Sequence, residues 1–109
     1  MASLNLTTPT AAGATETMAA AGAAGDSFPL IDGITVRIRN AHATNPRTVT
    51  FVAQNVCNQG ELHDQEVTVP ALTTVAVKVP GGDQFRDSNG RVQITYSSEA
   101  DVTIAAYPA

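Results

Sequence analysis

Tryptophan is absent from this chain, and only three Phe and two Tyr supply aromatic bulk. A core must therefore be assembled from Val, Ile, Leu and Ala. Modules that stack sugar rings usually expose several aromatics, and there are few to expose here. Cysteine occurs once, at Cys57. No internal disulfide can staple the fold, and a reducing compartment is the simpler expectation. Basic residues are scarce, with six Lys and Arg against ten Asp and Glu and a formal net charge of −4. That balance argues against non-specific binding to nucleic acid or to an anionic membrane, which both need clustered cations. No apolar run approaches the ~20 residues of a helical membrane span. No Lys or Arg precedes Arg37 and no leucine-rich run follows Met1, a pattern that predicts no secretory signal.

What is present fits one domain of 109 residues. The chain changes character near Phe28. Residues 1–27 are dominated by Ala, Thr and Gly, with Leu4, Leu6 and Met18 as the large apolar groups after Met1. Gly13, Gly22 and Gly25 interrupt any helix, each at about 1 kcal/mol relative to Ala, and Pro9 breaks an earlier start. Such a segment cannot offset its ordering entropy by itself. The expectation is an extended arm, flexible or frayed-helical around residues 14–24 when alone, and ordered only where it lies on something else. An arm docked on a neighbouring subunit is the sharper form of that expectation.

From Phe28 to the end, residues 28–109, the period is two. Ile34, Val36 and Ile38 alternate with Thr35, Arg37 and Arg39, which predicts a strand with one buried and one wet face. Further strands are predicted at 48–52, 66–69, 75–79, 92–96 and 102–106, with additional short ones near Val56 and at Gln84–Arg86. Thr44-Asn45-Pro46 fits a hairpin connection, Pro70-Ala71 a turn, and Asp87-Ser88-Asn89-Gly90 a hairpin-type turn. The longer stretch 54–64 could cross between sheets, as a Greek key requires. Short, regularly spaced strands without intervening helical periods predict an all-β fold, a small antiparallel β-sandwich or Greek-key barrel carrying an N-terminal arm.

Groups able to carry chemistry are few. Cys57, His63 and Asp64 lie close in sequence, but a structural zinc site wants four N or S ligands. The simpler reading makes Cys57 a small buried hydrophobe and His63-Asp64 a loop pair that helps the next strand start. His42 is the only other histidine. Asp83 and Asp87 sit in Gly-rich turns, where Asp is favoured for local hydrogen bonding rather than for paired-carboxylate catalysis. No phosphate loop and no nucleophile elbow is present. The expectation is no enzyme, no metal and no cofactor. Arg37 and Arg39 share one strand face, which is either solvated or a docking face for an acidic partner.

The run DGITVRIRN, the loop CNQGELHD, then VTVPA, GRVQITYS and DVTIAAYPA together resemble small tailed-bacteriophage virion proteins of the head decoration, or cement, type. The resemblance spans nearly all of the chain. It implies a structural protein made in the host cytoplasm that sits on the outer surface of the capsid. It also implies the major capsid protein as partner and a homo-oligomer, with a trimer favoured. In that setting Leu4, Leu6, Met18 and Phe28 would anchor the arm, and Arg37 and Arg39 would dock. A tail or head–tail joining protein is the alternative within the structural class. A carbohydrate- or ligand-binding sandwich is the alternative outside it.

Overall fold

The computed structural model describes residues 2–13, 18–30, 34–55, 63–79 and 84–108. They form nine strands: β1 (Ala2–Ser3), β2 (Ala19–Ala20), β3 (Asp26–Pro29), β4 (Ile34–Asn40), β5 (Arg47–Val52), β6 (Gln65–Val69), β7 (Thr73–Val79), β8 (Arg91–Tyr96) and β9 (Val102–Pro108). Two sheets face each other, in the orders β1-β3-β8-β5-β6 and β2-β9-β4-β7. Pairing is antiparallel except at the two-residue β1, which runs parallel to β3. The fold is thus all-β, a small sandwich.

Alternation explains the core. On β4, Ile34, Val36 and Ile38 are fully buried while Thr35, Arg37 and Arg39 point outward. Val49 and Phe51 of β5, Val92 and Ile94 of β8, and Val102, Ile104 and Ala106 of β9 complete it with Phe28 and Leu30. Each large aliphatic group so buried contributes about 1.5–3 kcal/mol.

Strand order carries more information than strand location. From β2 to β9 the chain pairs first with last: β2 with β9, β3 with β8, β4 with β7 and β5 with β6. The pairs β4–β9 and β5–β8 then close the two sheets. This is the order of an eight-stranded jelly roll, a hairpin of four strand pairs wrapped into two Greek keys. The break in composition at Phe28 is therefore no structural boundary. It falls inside β3, and β2 and β3 are the first two strands of the roll.

Several local expectations change accordingly. Thr44-Asn45-Pro46 does not close a hairpin, since β4 and β5 lie in different sheets. The 53–64 connection returns to its own sheet, with Phe51 opposite Gln65. Gln84–Arg86 bends rather than pairing as a strand. Residues 18–24 hold β2 and a turn instead of a helix. Gly22 and Gly25 are turn formers there, because Gly25 has φ 93°. A Cβ on Gly22 would lie 3.0 Å from Asp26 Oδ1 and 3.1 Å from the Gly25 carbonyl. The short strand expected near Val56 lies outside the described residues. At the β6–β7 crossing Leu72 adopts φ 56° with its side chain 61% exposed, a left-handed conformation that a bulky residue rarely takes.

Two buried polar side chains hold chain crossings. Asn40 donates from Nδ2 to the carbonyls of Asn45 at 2.9 Å and Val69 at 3.1 Å, and accepts from the His42 N–H at 3.0 Å. It thereby ties β4 to β6 of the opposite sheet. Asp26 is fully buried. Its Oδ2 accepts from the Tyr96 hydroxyl at 2.6 Å and the Gly22 N–H at 3.1 Å, while Oδ1 has no hydrogen-bond partner among the described residues. Burial, then the hydrogen bond to Asp26 and its charge, push the Tyr96 phenol far above its ordinary range, so it stays a donor. Tyr96→Phe leaves the Asp26 carboxyl with a single partner. The expected loss is about 1–3 kcal/mol in urea unfolding, and an unchanged midpoint would show that the hydroxyl contributes nothing.

Candidate functional site

Two surfaces gather the polar groups: the line where the N-terminal segment crosses the sandwich, and a groove at one end of the five-stranded sheet.

The N-terminal segment behaves as a strap on its own sandwich. The Leu4 N–H donates to the Ser27 carbonyl at 2.8 Å, Thr7 to Ala106 at 2.7 Å and Ala21 to Val102 at 3.0 Å. Arg91 locks it in place. Its Nη2 donates to the carbonyls of Leu4 at 2.6 Å and Ser27 at 2.9 Å, and its Nε to the Ser27 hydroxyl at 2.9 Å. A planar guanidinium suits this role, since its fork of donors reaches two chain segments at once. Nothing in the chemistry of Arg91 as a strand residue marks it as a clamp in the sequence.

The expected arm anchors fall out as follows. Leu4 and Leu6 are half-buried against the chain's own core. Met18 Sδ accepts from the Thr103 hydroxyl at 3.8 Å. Phe28 is 1% exposed within the core, so it has no surface to offer a partner. Within the single chain the segment lies on its own strands β3 and β9.

Arg37 and Arg39 lie on the outer face of the four-stranded sheet, in register with Ala76 and Thr74 of β7 and with Ala105 and Thr103 of β9. Lys78 shares that face opposite Thr35. Half of the chain's six basic residues thus stand on β4 and β7, whose outward positions carry no carboxylate. Arg39 is exposed and reaches Thr74 Oγ1 at 3.5 Å.

The remaining candidates are local. Asp64 Oδ1 accepts from the Ala53 N–H at 2.8 Å, closing the β5–β6 connection. The exposed His63 contributes its carbonyl to Gln84 Nε2 at 3.3 Å. His42 Nδ1 accepts from the N–H groups of Thr44 and Asn45 at 3.1 and 3.0 Å. Cys57 and Asp83 lie outside the described residues. Among the described residues no three metal-ligating side chains converge, and no helix is long and apolar enough to cross a membrane.

The groove has a volume of about 440 Å³ and forms where residues 54–55, after β5, meet the 86–89 turn and Gln93 of β8. Asp87 organises it. Its Oδ1 accepts from the N–H groups of Asn89 at 2.8 Å and Arg91 at 2.9 Å, and its Oδ2 from Gln93 Nε2 at 3.0 Å. Slight burial raises the carboxyl. The hydrogen bonds from Gln93, Arg91 and Asn89 and the charge of Arg91 outweigh that and hold it below its ordinary 3.8. Sequence showed the Asp87 turn but not the groove, which needs Gln54, Asn55 and Gln93 from two other places in the chain.

Compared with protein families, curated proteins and solved structures, the chain matches none.

Two outcomes follow from these contacts. Arg91→Ala releases the strap: hydrogen exchange at the Leu4 amide accelerates and stability falls by about 1.5–3 kcal/mol, whereas unchanged exchange would show the strap holds without the clamp. For Asp87 the folded-state value is depressed. Its stabilisation is complete above the ordinary carboxylate value and is lost as pH falls through the lowered one. Wild type and Asp87→Asn should therefore differ most near neutrality and converge in acid, as read from unfolding midpoints against pH. A constant difference across that window would contradict the coupling.

Proposed function

We propose that the protein is a structural component of a tailed-bacteriophage particle. In this reading it is a decoration protein that binds the major capsid protein on the outer surface of the shell, as a homo-oligomer with a trimer favoured, and stabilises it. The jelly-roll order of β2 to β9 carries the reading, because it recurs in capsid proteins. Fold alone does not assign function, so the surface has to supply the contact. The outer face of β4 and β7 offers Arg37, Arg39 and Lys78 on a rigid support, in a chain of net charge −4. Charges of one sign on a flat face favour a patch of the opposite sign on the partner and speed the encounter. Many identical copies on a shell make each weak contact collectively strong.

The strap sharpens the experiment. Removing residues 2–26 would also remove β2 and part of β3, so loss of binding would report unfolding. Charge reversal on the open face is cleaner. Arg39→Glu with Lys78→Glu should keep the far-UV spectrum and abolish binding to capsids lacking the protein. The heat resistance that wild type confers on those shells should go with it. Full binding by the double variant would overturn the assignment of this face. Absence of the protein from purified virions by mass spectrometry would overturn the reading as a whole, and hexameric rings of pure protein would favour the tail-joining role.

A further inference from the structure

We propose that the groove at the end of β5 and β8 binds a neutral polyhydroxylated ligand, a saccharide of one or two rings. The capsid reading makes no use of this groove, and the proposal stands independently of it.

Size comes first. About 440 Å³ falls within the ~300–1,000 Å³ of small-molecule sites. Chemistry comes next. Four side-chain amides line the groove: Gln54, Asn55, Asn89 and Gln93. A carboxamide both donates and accepts hydrogen bonds, and so does each sugar hydroxyl. A wall of amides thus matches a row of hydroxyls in either direction of donation.

The charged groups exclude other ligand classes. The lining holds one cation and one anion, Arg86 and Asp87. Arg86 Nε and Nη2 donate to the Leu30 carbonyl at 3.2 and 2.8 Å. Both Asp87 oxygens accept from N–H groups that already point at them. A metal cation would have to displace those donors and would sit beside a guanidinium. An anion would face the Asp87 carboxylate, which its hydrogen bonds keep ionised. A neutral ligand meets neither penalty.

Part of the wall is also held before any ligand arrives. The Gln54 and Asn55 N–H groups both donate to the Gln84 carbonyl at 2.8 and 3.1 Å. Asn55 Nδ2 donates to the Arg86 carbonyl at 3.3 Å, and Gln93 Nε2 is held by Asp87. Pre-organisation lowers the entropic cost of binding. With no aromatic ring among the described lining residues there is no stacking contribution, so the single-site affinity is modest.

The test is an NMR titration of the full ¹⁵N-labelled chain with glucose, galactose, mannose, maltose and lactose, with glycerol as control. At least one sugar should give saturable shifts confined to the amides of Gln54, Asn55, Ser88, Asn89 and Gln93. Gln54→Ala and Asn89→Ala should each weaken that binding about tenfold. Unshifted β4 and β9 amides would verify that both variants remain folded. A positively charged amino sugar and a negatively charged sugar acid should each bind more weakly than the neutral parent. The proposal is overturned if no sugar shifts these amides, if glycerol produces the same shifts at the same concentrations, or if both folded variants bind as wild type does.

Discussion

The architecture depends on two central strands near the C-terminus. β9 lies between β2 and β4, and β8 between β3 and β5, so each joins strands from the first half of the chain. β9 is in register with β4 over its whole length, from Val102 opposite Asn40 to Pro108 opposite Ile34. Among the described residues the two-residue β2 has no sheet partner but β9, and the strap reaches the same strand through Thr7 and Ala106. β8 in turn carries Arg91, which fixes the start of the strap, and Tyr96, which reaches Asp26. Among the described strands only β5 and β6 pair as neighbours in both sequence and space. A topology with so few local pairings folds slowly, because loop-closure entropy must be met before the contacts that offset it form.

Two of the buried polar side chains sit where the chain changes sheets. Asn40 stands at the exit from β4 and Asp26 at the entry to β3. A crossing leaves backbone groups without ladder partners, and an unpaired buried group costs about 1–3 kcal/mol. Asn40 satisfies carbonyls on both sides of the crossing after β4, and Asp26 takes the N–H of Gly22 at the turn before β3. These contacts discriminate between a chain that stays in its sheet and one that leaves it.

That discrimination is what the sequence did not make legible. The six strands from β4 to β9 were readable because apolar residues recur at every second position, as Ile34, Val36 and Ile38 do between Thr35, Arg37 and Arg39. Their assignment to sheets was not, since a six-residue gap such as 41–46 serves a hairpin or a crossing equally well. β3 escaped because the strap and Arg91 cover Ser27 from outside, which erases alternation: Asp26, Ser27 and Phe28 are all buried. β1 and β2 pair through backbone groups over two residues each, too short for any period to register. Of the groove, the Asp87 turn was visible in its residues. Gln54 and Gln93 lie 39 positions apart and meet only because β5 and β8 are adjacent.

The central place of β9 has a consequence for biosynthesis. Everything before Val102 leaves the ribosome with β2 and β4 each lacking the strand that lies between them. The four-stranded sheet cannot close as the chain emerges. Until β9 arrives, β2 and the β9-facing side of β4 are edges open to foreign chains. Emergence of β9, and not of the first half of these strands, is the event that lets the four-stranded sheet close.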